Sequence, residues 1–320
     1  MAKSKASGEA ATRTVPRLLA MTRIWPSVEA PSAGIFVANR FRGMPEVTVL
    51  VAPSSRRWPI GLLGFIWRGL RARGPFDGVE AHVLYPAGFA ALVVARLRRL
   101  PLLAYAHGTD VREARSRGRG FRFFVTAVAR YADLVVTNSP DSARRVQSLG
   151  GVARIIPPGI DTDLFRPVAR PPRHRRRVLY LGGTNPNKGY DTARRLADTL
   201  VGPGLREVTP AEVAQLYAAH DVVLVPSIAE GFGLVAAEAI AAGRWVIAAD
   251  VGGLPLIVRD GVNGTLVTDG NYAAALRSVP DYDPFAIAQT VQQHSLARWQ
   301  EQMAVAWREL LDESPLSARC

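Results

Sequence analysis

The chain has 320 residues, 48% of them hydrophobic, and a formal net charge of +13. That length suits two domains of roughly 150 residues each, and that apolar content excludes wholesale disorder. No apolar run reaches the roughly 18 residues a membrane-spanning helix needs, and the one cysteine, Cys320, has no intrachain partner, so a reducing compartment is expected.

Residues 1–14 are polar and small, with no apolar signal core, and read as a loose tail of a cytoplasmic protein. From residue 15 onward the runs "RLLAM", "VTVLVAP", "AHVLYP", "LLAYAHG", "LVVTNS" and "ARIIPPG" are of strand type. Helical patterns such as "GFAALVVARLRRL" (88–100) and "DSARRVQSLG" (141–150) lie between most of them. The basic, Pro-containing stretch at 169–177 reads as a linker. Beyond it "VLYLGG", "VVLVPS" and "WVIAAD" alternate with "DTARRLADTL", "TPAEVAQLYAAH" and "GLVAAEAIAAG".

Strands apolar on both faces and alternating with helices predict parallel sheets covered on both sides. The expected fold class is α/β: two Rossmann-like doubly wound domains, at 15–168 and 178–283, facing across a cleft. Closing helices at 284–313 are expected to pack back on the N-terminal domain. The second domain is short, because only about two dozen residues separate its first helix from "VVLVPS".

The cations cluster at 54–74, 112–124 and 170–177. Such a balance suits nucleic acid, an anionic membrane or phosphorylated small molecules. None of the clusters resembles a helix-turn-helix, zinc finger or RNA-binding motif, so no nucleic-acid partner is expected. The first cluster sets Trp58, Leu62, Leu63, Phe65, Ile66 and Trp67 among Arg56, Arg57, Arg68, Arg71 and Arg73. It has two readings: a helix lying on an anionic bilayer, or a core-facing helix with a charged rim.

Doubly wound sheets bind ligands beyond the carboxyl ends of their strands, so the loops there carry the chemistry. In "VVLVPSIAEGFGLVAAEAIAAG" (222–243), Gly231 and Gly233 admit a close backbone approach, and the N–H groups near Gly233 and Leu234 open a helix as an anion site. Glu230 precedes that helix and Glu238 lies about one and a half turns into it, so they suit different parts of one ligand. The alternative is an acidic cap followed by a solvated charge. Lysine occurs only at Lys3, Lys5 and Lys188, and the other 37 of the 40 cations (40 − 3) are arginine. Lys188 therefore stands out, just after a strand and a glycine pair. His82, His174, His220 and His294 have no partners at metal-ligand spacing and read as structural or solvated. No metal cluster, resident cofactor or Ser–His–Asp arrangement is expected.

The string E-G-F-G-L-V-A-A-E (Glu230 to Glu238) resembles the E-x7-E motif of retaining glycosyltransferases of the GT-B fold, the family 4 type. "PSAGIFVANR" (31–40), "HGTDV" (107–111), "NSPDSARRV" (138–146), "IIPPGIDTDLFRP" (155–167), "YLGGTNPNKGYD" (180–191) and "DVGGLPLIVRDGVNGTLV" (250–267) match further family segments in order. The resemblance implies transfer of a hexose-type sugar from a nucleotide-diphosphate donor to a saccharide or lipid-linked acceptor, in cell-surface glycan or glycolipid synthesis. It places the protein in the cytoplasm, with the inner face of the membrane as an alternative site.

By the same resemblance Lys188 grips the donor diphosphate, Glu238 the ribose and Glu230 the sugar hydroxyls. The N–H groups of Phe232, Gly233 and Leu234 meet the phosphates, His107 sits beside the sugar with Asp110 in support, and Gly34 belongs to a loop closing over the diphosphate. The family's second cation, an arginine, is replaced by Gly183, with Arg112 and Arg259 as candidate substitutes. An arginine restored there is expected to tighten donor binding. The departure leaves an alternative reading, a catalytically weak or inactive GT-B-like nucleotide-sugar-binding protein.

Overall fold

Two parallel sheets organise the chain, each built around strands buried on both faces, with the edge strands β2, β6, β8 and β11 only partly covered. The computed structural model describes residues 16–53, 58–169 and 176–313. The tail expected at 1–14, most of the linker, Arg56, Arg57, His174 and Cys320 lie outside the described residues. The strands are β1 (Leu18–Thr22), β2 (Val47–Val51), β3 (Gly78–His82), β4 (Leu102–Ala106), β5 (Leu134–Thr137) and β6 (Ala153–Ile155), then β7 (Val178–Tyr180), β8 (Thr199–Leu200), β9 (Val222–Val225), β10 (Trp245–Ala249) and β11 (Gly264–Val267). The helices are α1 (Ile35–Arg40), α2 (Trp58–Arg71), α3 (Phe89–Arg98), α4 (Thr109–Arg112), α5 (Arg119–Tyr131) and α6 (Pro140–Ser148), followed by α7 (Tyr190–Leu196), α8 (Pro210–Ala218), α9 (Leu234–Ala241), α10 (Tyr272–Arg277), α11 (Pro284–Gln289) and α12 (Leu296–Asp312).

The chain folds into two compact units. Of the described residues, one unit holds 16–25, 41–53, 58–156 and 300–313, the other 26–40, 157–169 and 176–299. The first carries a six-stranded sheet in the order β2-β1-β3-β4-β5-β6, the second a five-stranded sheet in the order β11-β10-β9-β7-β8. Every pairing in both is parallel. In each sheet the unit's first strand lies between its second and its third, so the winding direction reverses at β1/β3 and at β7/β9. Ligands of doubly wound sheets sit at that reversal, where the flanking loops diverge and leave a crevice. The α/β class and the shorter second sheet agree with the sequence.

Local signals explain the helix starts. Ser139 accepts from Ser142 N ahead of Pro140 in α6, and Thr209 and Glu212 form a reciprocal capping box around Pro210 in α8. One expected strand is displaced. "AHVLYP" supplies only its first two residues to β3, because Val83 turns to φ 69° and 84–88 coil into a short helical turn. The strand instead runs back through Glu80, a charge inside a fully buried run. Gly78 leaves room for α12, since a Cβ there would lie 2.4 Å from the Trp307 ring.

Candidate functional site

In the second unit the loops after β7, β9 and β10 touch backbone to backbone, and glycine makes this contact possible. Gly189 (φ 74°) lies so close to the β9 loop that a Cβ would be 2.0 Å from Pro226 O, and Ile228 N donates to Asn187 O at 2.9 Å. A Cβ on Gly252 would sit 1.9 Å from Glu230 O, and one on Gly253 2.4 Å from Gly231 O. A turn at Pro186–Lys188, held by the Asn185 side chain on Asn187 N (3.0 Å), presents the lysine.

The consequence is an ion pair at the β7/β9 reversal. Lys188 Nζ lies 2.7 Å from Glu230 Oε2, with the lysine side chain 37% exposed and the glutamate 14%. Ser227 Oγ donates to Glu230 Oε2 (3.3 Å) and Gly231 N to Oε1 (3.2 Å). Gly233 (φ 100°) then opens α9, whose first N–H groups, around Phe232 to Leu234, have no carbonyl a turn earlier to bond. The buried Phe232 ring packs edge-on to His294 at 5.6 Å. Lys188, Glu230 and these amides are thus brought together.

Glu238 stands in different surroundings. It opens onto a cavity of about 520 Å³, lined mostly by apolar groups that include Phe165, Leu181, Val208, Leu234 and Val235. Tyr217 OH donates to its Oε2 at 3.3 Å. Burial, helped by the charge of Asp161 and opposed by the tyrosine hydrogen bond, pushes the Glu238 carboxyl up to about 8. Gly34 (φ 70°) belongs to the same region, for its neighbours Ala33, Ile35 and Phe36 line the cavity and Ser32 Oγ donates to Val208 O.

Gly183 corrects an expectation. Its φ is 61°, and a Cβ would lie 2.2 Å from Pro203 O, because Gly183 N and Thr184 N are bonded to Val201 O (3.1 Å) and Pro203 O (2.9 Å). An arginine cannot enter this backbone as it stands, so the missing cation is part of the loop design. Arg259 does not fill the gap by an observed contact: its N–H donates to Asn263 Oδ1 at 2.7 Å, and its charge acts on His294. Beneath the loop the Tyr180 hydroxyl has no hydrogen-bond partner among the described residues, and burial pushes it up to about 12.

His107, Asp110 and Arg112 belong to the first unit. His107 Nε2 lies 3.1 Å from His82 Nδ1, and His82 Nε2 lies 3.2 Å from Glu80 Oε1. Trp307 Nε1 donates to Glu80 Oε2 at 2.7 Å. Burial first, then the His82 ring, hold His107 well below the usual histidine range, so it is neutral. Glu80 Oε1 accepts from His82 Nε2–H, and one proton joins His82 Nδ1 to His107 Nε2. Sequence reading missed Glu80 and left His82 without a role, since their alternate positions on one strand are informative only once β3 is correctly placed. Asp110 is buried and accepts from Leu84 N (2.9 Å) and Val111 N (3.1 Å); desolvation raises its carboxyl while the amides oppose it. It braces the turn after β4. Arg112 ends α4, half-buried. Among the described residues no group of three His, Cys, Asp or Glu could hold a metal ion.

Two family models match consecutive parts of the chain: "Glycosyltransferase Family 4" over residues 24–164 and "Glycosyl transferases group 1" over 160–279. The chain belongs to the family 4 type of GT-B glycosyltransferases. Among curated relatives of this family, D-inositol 3-phosphate glycosyltransferase of Mycobacterium bovis is 36% identical over 195 residues, a match covering 45% of this chain and 40% of the relative. The chain thus matches about two-fifths of the length of that relative. In the solved structures, HepE from Anabaena with UDP and glucose superposes with a TM-score of 0.71 at 19% identity, covering 92% of this chain and all of the other. Sucrose-phosphate synthase from Thermosynechococcus elongatus gives 0.67 at 23% identity, over 85% of this chain and 86% of that one. At these identities the structures establish the shared GT-B fold.

Proposed function

We propose that the protein is a retaining glycosyltransferase that moves a hexose from a nucleotide-diphosphate sugar to a saccharide or lipid-linked acceptor, in the synthesis of cell-surface glycan or glycolipid at the cytoplasmic side of the membrane. The observation that carries this reading is the Lys188–Glu230 pair at the β7/β9 reversal, with the Glu238 cavity beside it, to which Leu181 after β7 and the first turns of α9 contribute. A diphosphate arriving at Lys188 replaces Glu230 as its partner, and the released carboxylate accepts from sugar hydroxyls. The amides opening α9 add preorganised donors for the leaving group. Glu238 meets the ribose at the mouth of an apolar cavity suited to a base; HepE from Anabaena, which shares the fold, was solved with UDP and glucose.

Retention is read as a one-face reaction. The acceptor hydroxyl forms a bond to the anomeric carbon as the bond to the diphosphate oxygen breaks, and the hydroxyl proton passes to that departing oxygen. The chain supplies positioning and charge. Incubation with a panel of nucleotide sugars and an acceptor extract tests this: released nucleoside diphosphate matched by a new glycoside supports it. Gly183 favours a second reading, a nucleotide-sugar-binding protein without turnover, because its backbone excludes the family's second cation. Tight donor binding without hydrolysis or transfer would select that reading.

A further inference from the structure

Helices α2, α3 and α5 lie side by side in the first unit. Arg98 of α3 donates to the carbonyls of Gly69 (3.1 Å) and Ala72 (2.9 Å) at the end of α2, and Arg96 reaches Tyr131 O at the end of α5. Their inner sides give Phe65, Val94, Val125 and Val128 to the core. Across the three helices the chain places seven arginines and no Asp or Glu. At the chain-wide frequency of 27 acidic residues in 320, about three would fall in their 37 positions (14 + 10 + 13). Of the other helices of seven or more residues, α6, α7, α8, α9 and α12 all carry carboxylates; only the six-residue α1, α10 and α11 also lack them.

The outer side of α2 is also apolar. Ile60, Leu63, Trp67 and Leu70 are 72%, 68%, 55% and 37% exposed, and their 3-4-3 spacing makes one stripe along the helix. Gly64, inside the stripe, has open space above it. Arg71 stacks on the Trp67 ring at 4.5 Å, which carries its charge to the edge of the stripe. α2 therefore has a core face and a second, exposed apolar face, which the reading as a core helix with a charged rim does not provide.

We propose that the surface formed by α2, α3 and α5 docks on an anionic lipid bilayer, the α2 stripe entering the boundary between headgroups and acyl chains. Arg96 is paired with Asp133 at 3.8 Å just beyond α5, but the three helices themselves carry no carboxylate; their arginines complement anionic headgroups, and the stripe complements the layer beneath them. A nucleic acid would match the arginines and leave Ile60, Leu63 and Leu70 in water. The proposal is independent of the sugar-transfer reading, since no residue of the second unit enters it.

Co-sedimentation with phosphatidylcholine vesicles and with vesicles rich in phosphatidylglycerol tests it on the full chain. Binding is expected only to the anionic vesicles. The variant Ile60→Gln/Leu63→Gln/Trp67→Gln should lose at least tenfold in partitioning while its circular dichroism is retained. Arg119→Gln/Arg122→Gln/Arg130→Gln should lose roughly fivefold per cation at low salt and less at high salt. Equal binding to both vesicle types, or an apolar triple variant that binds like the parent, would overturn the proposal. Capture by duplex DNA with no vesicle binding would do so too, and would assign the arginines to a polyanion.

Discussion

At the reversal of the first sheet the polar groups are drawn into the strands: Glu80 and His82 are fully buried and bonded to each other, to Trp307 and to His107. At the reversal of the second sheet, β7 and β9 are apolar throughout, and the polar groups stand on loops that glycines press together. The first arrangement fixes every partner, because an unpaired polar atom there would be stranded away from water. The second leaves Lys188 and Glu230 partly exposed, which is what the proposed exchange of each for a ligand requires. The difference teaches where each unit spends its order: one in holding a histidine, the other in shaping a backbone.

The largest expected effect comes from filling a loop contact. Gly183→Arg should destabilise by about 3–5 kcal/mol, combining a left-handed φ with overlap on Pro203. Urea unfolding measures it. A stable variant with tighter nucleotide binding would show that the loop rearranges, and would break the contrast between rigid and adaptable regions. Next comes the buried network. Glu80→Ala strands the Trp307 and His82 donors and should cost about 2–4 kcal/mol, while Glu80→Gln, keeping an acceptor, should cost less than half as much. A loss below about 1 kcal/mol for the alanine variant would mean that the network is wet.

These two positions also show what is legible in the sequence. Strands at 18–22, 47–51, 102–106, 134–137, 178–180, 222–225 and 245–249 are readable as apolar runs, and parallel sheets follow from their alternation with helices. β3 is misplaced by such a reading because a glutamate inside a strand resembles a break, whereas "VLYP" resembles a strand and is not one. β8 is two residues long and β11, "GTLV", reads as loop, both below what periodicity detects. Lys188 and Glu230 are legible because each stands beside glycines after a strand. The Glu238 cavity is not, since its lining comes from five separate stretches between residues 30 and 238.

A pH effect sharpens the comparison within the second unit. The Glu238 carboxyl is raised to about 8 in the folded state, so the fold holds a proton that the unfolded chain has released. Stability from this group is therefore full below pH 4.5 and falls as pH rises towards 8, by at most about 1.4 kcal/mol per pH unit. Glu238→Gln should flatten that slope in unfolding measured from pH 5 to 9; an unchanged slope would place the titration elsewhere. The smallest effect is expected at Tyr180. Removing its unpartnered hydroxyl in Tyr180→Phe should leave stability unchanged or raise it by up to about 1 kcal/mol. A clear loss in thermal unfolding would reveal a bound water.

The central claim is that Lys188 and Glu238 serve different parts of one nucleotide. Titration calorimetry of a nucleoside and its diphosphate against Lys188→Ala and Glu238→Ala tests it most directly. Lys188→Ala should weaken the diphosphate about tenfold, near the low end for a charged contact because the site is partly exposed, and leave the nucleoside unaffected. Its fold stability should change by less than about 1 kcal/mol, as for other exposed pairs. Glu238→Ala should weaken both ligands alike. Equal losses for both ligands in both variants, or no loss at Lys188, would contradict the assignment.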